Sequence, residues 1–435
     1  MIRRLFFFVL TIGALLTACS DDDTFSTNRG NVLSFSVDTV KLDTLFSTVP
    51  SSMYTFWVRN NSGDGIRIQT ARLERGGQSG FRVNVDGTFL DPVGTNFEVR
   101  KGDSLRVFVE VTTRENGTDG PQLVEDNLLF TLESGVVQKI NLRTWSWDAE
   151  KITSLVINCD TVIESSRPLI VYDSIIVAKG ATLTLNDTEL YFHDGAQLTV
   201  YGQLLASGSL FRGDRLDHMF SYLPYDRISG QWQGIRLKPT SRGNSFTDCE
   251  IRNAYNAIHA DSTELEMANC IIHNNNGFGI EGRNSDITLD YCQVTNCGAD
   301  CLLADGGIVT VNHSTLAQFY PFSAQRGAAL TFNTGRRGIL FDCRNTLVTG
   351  YAADVVMGEQ NDTTLAYDFR FENCLLRTDS ITDAERFISI IWETPKDSVE
   401  GKKHFRKIDE DNLFYDFGLD SISPALSRLI GRIIE

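Results

Sequence analysis

The sequence predicts an all-β protein: an N-terminal immunoglobulin-like β-sandwich followed by a right-handed parallel β-helix. Two observations carry this. Short segments of residues 32–147 alternate apolar and polar between turn clusters, and one short phrase recurs about every 22 residues further on. A third agrees with both: 35 glycines against only 9 prolines suits many short strands joined by tight turns.

The chain opens with Arg3 and Arg4, an apolar run Leu5–Leu16 too short to anchor stably across a bilayer, and Leu16-Thr17-Ala18-Cys19. This ending resembles the lipobox of bacterial lipoproteins. The resemblance implies a signal peptide over 1–18 and acyl chains, palmitate among them, on Cys19. Several chains hold a protein on a membrane where one does not. Ser20, Asp21, Asp22 and Asp23 follow directly and resemble an export signal to the outer face of the outer membrane in one Gram-negative phylum. The expected location is therefore the cell outer membrane, with residues 19–31 as an acidic and polar tether.

The formal charge of −16 becomes −18 once Arg3 and Arg4 leave with the signal. Such a surface repels phosphate backbones, so nucleic acid is set aside as a partner. A local basic groove remains compatible with it.

Residues 32–147 supply seven expected strands: Leu33–Val37, Tyr54–Val58, Ile66–Ile68, Phe81–Val85, Leu105–Val111, Asn127–Phe130 and Val137–Leu142. Period two means one buried and one solvated face. Seven strands in such a length fit an immunoglobulin-like sandwich lacking the antibody disulfide, since this region holds no cysteine. It carries no cluster of catalytic residue types and is expected to be a spacer.

The second domain, 148–435, is read from a cysteine ladder. Asp248-Cys249, Asn269-Cys270, Tyr291-Cys292, His313-Ser314, Asp342-Cys343 and Asn373-Cys374 are separated by 21, 22, 22, 29 and 31 residues. A near-constant step marks a solenoid, and the longer steps absorb loops. About 22 residues make one coil of three short parallel strands, and equivalent residues of successive coils stack about 4.8 Å apart. Cys249, Cys270, Cys292, Ser314, Cys343 and Cys374 then form an inward column of small side chains rather than disulfides, because in-register side chains point the same way. Cys297 and Cys301 lie off the column and are free to pair locally. Zinc at Cys292, Cys297 and Cys301 is disfavoured by the spacing, and no metal or cofactor is expected.

Upstream, Gly180-Ala181-Thr182-Leu183, Leu190-Tyr191-Phe192-His193-Asp194-Gly195, Phe211-Arg212-Gly213-Asp214-Arg215 and Gly230-Gln231-Trp232-Gln233-Gly234 resemble the opening coils of right-handed β-helix surface lipoproteins of the pectin-lyase-like type. Phe417-Gly418-Leu419-Asp420 with Ser423-Pro424-Ala425-Leu426 resembles their closing coil. That resemblance covers 150 to the C-terminus and implies a fold, not a reaction. Ser427–Glu435 is expected to be a short helix over the open end.

The chemistry associated with such folds is largely missing. There is no Gly-His-Gly, and paired aspartates occur only at Asp21–Asp23. Arg236-Leu237-Lys238 matches an Arg-x-Lys spelling in isolation. Asp286, Asp300, Asp305 and Arg283 fall at different phases of the coil, so a calcium-dependent lyase cluster is doubtful. The six histidines show no metal spacing. The candidate ligand surface is instead a polar stretch with an aromatic-rich insertion: Arg212, Asp214, Arg215, His218, Tyr222, Tyr225 and Trp232. Aromatic faces and charges on a loop suit sugar rings. Asp-Ser/Thr-aliphatic triplets at Asp38, Asp43, Asp160, Asp173, Asp379, Asp397 and Asp420 are similar to an O-glycosylation sequon.

The function read from the sequence is a non-catalytic surface lipoprotein that binds or adheres to extracellular polysaccharide or host protein. A polysaccharide lyase or glycoside hydrolase is the second reading. A structural cell-surface component is the third.

Overall fold

The computed structural model describes residues 24–393 and 401–433. The signal peptide, Cys19, the Ser20–Asp23 export signal and the triplet at Asp397 lie outside the described residues. The chain divides into two compact units after Trp147.

The first unit is a β-sandwich of two five-stranded sheets. One sheet orders Ser34–Phe35, Tyr54–Arg59, Ser104–Val111, Phe81–Val85 and Thr88–Phe89. The other orders Thr39–Phe46, Val137–Trp147, Gln122–Leu132, Ile66–Leu73 and Val93–Val99. Phe56, Val58, Ile68, Val83, Val107, Phe130 and Leu142 fill the space between them. Alternation did not reveal Thr39–Phe46. Its burial follows no period of two, because it pairs in parallel with Val137–Trp147 around an irregularity between Arg143 and Trp145.

The second unit is a parallel β-helix with three walls. Wall one is a ten-stranded sheet running from Thr161–Glu164 to Phe387–Ile388. Walls two and three alternate within an eighteen-stranded assembly. Wall two includes Glu189–Phe192, Leu210–Gly213, Glu250–Arg252, Ile271–Asn275, Gln293–Cys297 and Thr315–Gln318. Wall three includes Gln197–Val200, Gly234–Leu237, Ile258–Asp261, Ile280–Arg283 and Leu302–Asp305. Inward residues stack in register: Ile251, Ile272, Val294 and Leu316 on wall two, and Leu198, Ile235, Ile258, Ile280 and Leu302 on wall three. All are buried.

The corner from wall one to wall two turns on a residue in the left-handed region: Asp248, Asn269, Tyr291, His313, Asn345 and Asn373, with φ between 43° and 54°. Asn and Asp tolerate this conformation better than most side chains. The next residue must be small and point inward. Cys249, Cys270, Cys292, Ser314, Thr346 and Cys374 hold that place. Here the structure corrects the sequence reading. Cys343 belongs to wall one, in register with Val311 and Phe371, and Thr346 takes its place on the ladder. A hydroxyl serves as well as a thiol, because it also accepts from the backbone of the preceding coil. Ser314 Oγ accepts from Cys292 N at 3.0 Å, and Thr346 Oγ1 from Ser314 N at 3.4 Å. The Cys343 and Cys374 sulfurs are 3.9 Å apart as free thiols. Cys297 and Cys301 are likewise free and fully buried.

The C-terminus also departs from expectation. The helix is a single turn, Pro424–Ser427, capped by Ser423. It follows a hairpin of Phe405–Asp409 and Phe414–Leu419. Phe405, Phe417, Leu419 and Ile430 pack on Ala317, Leu347 and Leu375, which point outward from wall two. The tail then runs back along the coils. Arg432 N donates to Thr315 Oγ1 at 3.0 Å, Nε to Tyr291 O at 2.9 Å and Nη2 to Asn269 Oδ1 at 2.7 Å. The segment therefore covers a side wall, which buries apolar residues that the stacking of coils leaves facing outward.

Two expectations follow. Among the described cysteines, a thiol reagent is expected to label only Cys159 in the native protein, since the other seven are buried. Rapid native labelling of a second one would contradict the packing. Trp232→Ala removes a fully buried ring stacked on Phe192 at 4.1 Å and is expected to destabilise by about 3–5 kcal/mol in chemical denaturation.

Candidate functional site

The residues singled out in the sequence do not form one surface. Trp232 is core, and its Nε1 donates to Arg252 O at 2.9 Å. It is large and apolar at an inward position, so it fills the barrel rather than meeting a ligand. Asp214 is buried and bonds His193 Nδ1 at 2.7 Å; burial raises its pKa and the histidine partly offsets this. Arg215 grips Asp217 and lies 4.3 Å over the Tyr225 ring. His218 sits in a small hairpin with Pro224. Tyr222 alone is widely exposed, stacked on Phe220 at 5.7 Å. Of the Asp-Ser/Thr triplets, Ser174 is buried and closed to an attached glycan, whereas Ser380 and Ser421 are exposed.

Arg212 leads to the site. It is buried on wall two, where its Nη1 meets Asp226 Oδ1 at 3.0 Å. Asp226 belongs to the insertion that follows Gly213, and it also meets Arg252 Nη1 at 3.0 Å. The insertion is tied down along the corner from wall two to wall three. Asn253 Nδ2 donates to Asp226 O and Ile228 O, both at 2.9 Å, and Asn274 Nδ2 donates to Asp226 O at 3.3 Å. Ser229 and Tyr320 hydroxyls bond at 2.7 Å. One loop thus spans several coils and becomes a wall.

The opposite wall is the C-terminal hairpin. Between the two lies a groove of about 360 Å³. Its floor is wall two: Glu250, Ile271, His273, Gln293 and Asn296. Arg227 lines it from the insertion, and Phe414–Gly418 with Arg432 line it from the tail. Glu250 Oε1 and His273 Nε2 are 2.9 Å apart, and Arg252 Nε lies 3.2 Å from the same oxygen. Burial alone would raise the Glu250 pKa, but His273, Arg252 and Arg212 outweigh it and hold it at about 2. Burial lowers the His273 pKa more than Glu250 raises it, and the charges of Arg252 and Arg227 lower it further. The groove therefore presents an ionised carboxylate beside a neutral imidazole.

Three lining side chains carry a buried polar atom with no hydrogen-bond partner among the described residues: Asn296 Oδ1, Tyr415 Oη and Arg432 Nη1. One accepts, one donates and one does both. Leaving such atoms buried and unmet is costly, on the order of 1–3 kcal/mol each.

Sequence reasoning reached Arg212 and the insertion but missed Glu250, His273, Gln293, Asn296, Asp416 and Arg432. The first four had a signal. They stand one, three or four places after the ladder residue, where alternation points Glu250, His273 and Gln293 outward. Arg432 had none, because the tail reaches the groove only through tertiary folding. Elsewhere, His259 Nδ1 meets Glu281 at 2.7 Å on wall three, one coil from the exposed Arg236. Asp300 is half-buried, which raises its pKa, and it accepts from Ala328 N, while Asp286 pairs with Arg337 and Asp305 with Arg283. No set of three His, Cys, Asp or Glu side chains among the described residues is placed to hold a metal.

Residues 233–364 match a family model described as right handed beta helix region. The chain is a right-handed β-helix protein. The match covers the middle coils and leaves out the opening coils, the last coils, the sandwich and the C-terminal tail. No curated protein matches this β-helix chain in sequence. Among solved structures, it is 9% identical to the catalytic domain of a GH87 alpha-1,3-glucanase in complex with nigerose, over 80% of this chain and 86% of that one, at a TM-score of 0.23. The N-terminal domain of PorA is 15% identical over 26% of this chain and 97% of that one, at 0.20. A family 123 glycoside hydrolase from Clostridium perfringens is 8% identical over 28% of this chain, at 0.19, and the chain spans about a quarter (26%) of its length. Likeness at this level bears on neither activity nor ligand.

Glu250 and His273 both have folded pKa values below their ordinary ones, 4.5 and 6.5. Each therefore contributes stability above its unfolded pKa that is lost on acidification. The His273 part begins to go below pH 6.5, and the Glu250 part from 4.5 down to about 2. Melting temperature against pH is expected to fall less steeply between pH 7 and 3 for Glu250→Gln/His273→Gln than for the wild type. A parallel fall would show that the pair does not set the acid response.

Proposed function

We propose that the groove on wall two binds an extracellular glycan and that the protein displays this site from the cell surface. The observation that carries the reading is the trio Asn296 Oδ1, Tyr415 Oη and Arg432 Nη1, unmet buried atoms of both donor and acceptor character in one groove. A sugar hydroxyl donates and accepts at once, so the hydroxyls of a bound glycan suit atoms of either character. Phe414 and Tyr415 add aromatic surface for the apolar face of a sugar ring. Phe220 and Tyr222 on the same insertion offer further exposed rings for a longer chain. The role proposed is binding without catalysis, because Glu250 is paired with His273 at 2.9 Å and Arg252 at 3.2 Å, contacts that favour its ionised form over the proton-donating acid of glycoside hydrolysis.

The second reading is a polysaccharide-cleaving enzyme. His273 supports it, since a neutral imidazole in a groove can take a proton. The anchoring part of the proposal rests on the lipobox at Cys19. It is tested by mass spectrometry of that residue and by release of Cys19→Ala from membranes.

The binding test is an array of plant, host and bacterial polysaccharides, followed by an assay for new chain ends on any that bind. Binding to at least one class without chain cleavage is expected. Tyr415→Phe, which removes a single hydroxyl, is expected to weaken it roughly 3- to 10-fold. Cleavage would favour the enzyme. Unchanged affinity in Tyr415→Phe, or no binding across the array, would contradict the groove reading.

A further inference from the structure

The sandwich carries a cleft of its own. It occupies about 230 Å³ on the outer face of one sheet and is lined by Lys41, Leu42, Leu123, Arg143, Thr144 and Trp145. Trp145 and Leu123 face each other across an antiparallel ladder and are 47% and 44% exposed. Lys41 and Arg143 face each other across the parallel ladder on the other side of the same strand. Neither cation forms an ion pair or side-chain hydrogen bond among the described residues. Glu125 stands opposite Arg143 in the ladder without coming within ion-pair reach.

Two features mark this cleft. The chain has a formal charge of −16, yet here two cations stand together unneutralised. Several large apolar side chains of the sandwich are exposed, Met53, Trp57 and Phe89 among them, and here an indole and a leucine lie together beside the cations. A spacer has no need of either. An indole face beside two cations suits a ring that bears a negative charge: the ring stacks on the indole, and the charge sits between ammonium and guanidinium. Ligand sites for whole small molecules usually run to about 300–1,000 Å³, so this smaller cleft takes one ring and its substituent.

We propose that the cleft framed by Trp145, Lys41 and Arg143 is a second binding site, which takes an anionic sugar residue, sulfated or carboxylated, of a polysaccharide chain. It is independent of the groove on wall two.

The test is calorimetric titration of the full chain with a heparin-derived hexasaccharide as the anionic probe and maltohexaose as its neutral counterpart. Binding of the first and not the second is expected, weakening as salt is raised. Lys41→Glu/Arg143→Glu and Trp145→Ala are each expected to raise the dissociation constant about tenfold or more, with unchanged melting temperatures because these side chains face solvent. Tyr415→Phe is expected to leave this binding intact, which separates it from the fate of the groove. No binding of the anionic probe, equal binding of the neutral one, or unchanged affinity in both variants would overturn the proposal. So would capture by phosphatidylglycerol vesicles in place of the hexasaccharide.

Discussion

The whole of the second unit depends on one backbone constraint. At the corner between walls one and two, a single residue adopts the left-handed conformation and turns the chain by itself. Because that turn is short and repeated, each coil lands in register on the one before. Register in turn puts like residues into columns, so the interior fills with stacked aliphatic side chains and the exterior presents columns of defined chemistry. The small residue after the turn completes the device. Where it is a serine or threonine, its hydroxyl accepts from the amide of the preceding coil.

The site arises where that regularity is broken. Loops can leave the coil only at corners with room, and the long insertion after Gly213 leaves between walls two and three. It returns to the wall through Asp226, whose carboxylate holds Arg212 and Arg252 together, two like charges that would otherwise repel on adjacent coils. The C-terminal tail supplies the facing side. Two excursions from the repeat thereby enclose a strip of its outer surface, and residues that would be solvated on a bare solenoid become lining residues of a groove.

The fold was legible because its signals are periodic. Alternation exposed most of the sandwich strands, and the recurring phrase set the coil length. What was misjudged shares a cause: residue identity was weighed above register. Cys343 looked like a ladder member because it is a cysteine, although Asn345 carries the turn, Thr346 the small inward side chain and Val348 the next inward residue, in register with Leu316. Trp232 looked like a ligand platform because it is aromatic, although it stacks on Phe192 in the core. The groove was half legible. Arg212 was seen, and Glu250 and His273 could have been placed by counting from the ladder. Arg432 and Tyr415 could not, since their position depends on a tail that folds back across the coils.

The most direct measurement is a crystal structure of the chain soaked with whichever glycan it binds best. The glycan is expected in the groove, with hydroxyls along it meeting Asn296 Oδ1, Tyr415 Oη and Arg432 Nη1. A ring bound elsewhere, with those three atoms met only by ordered water, would contradict the account.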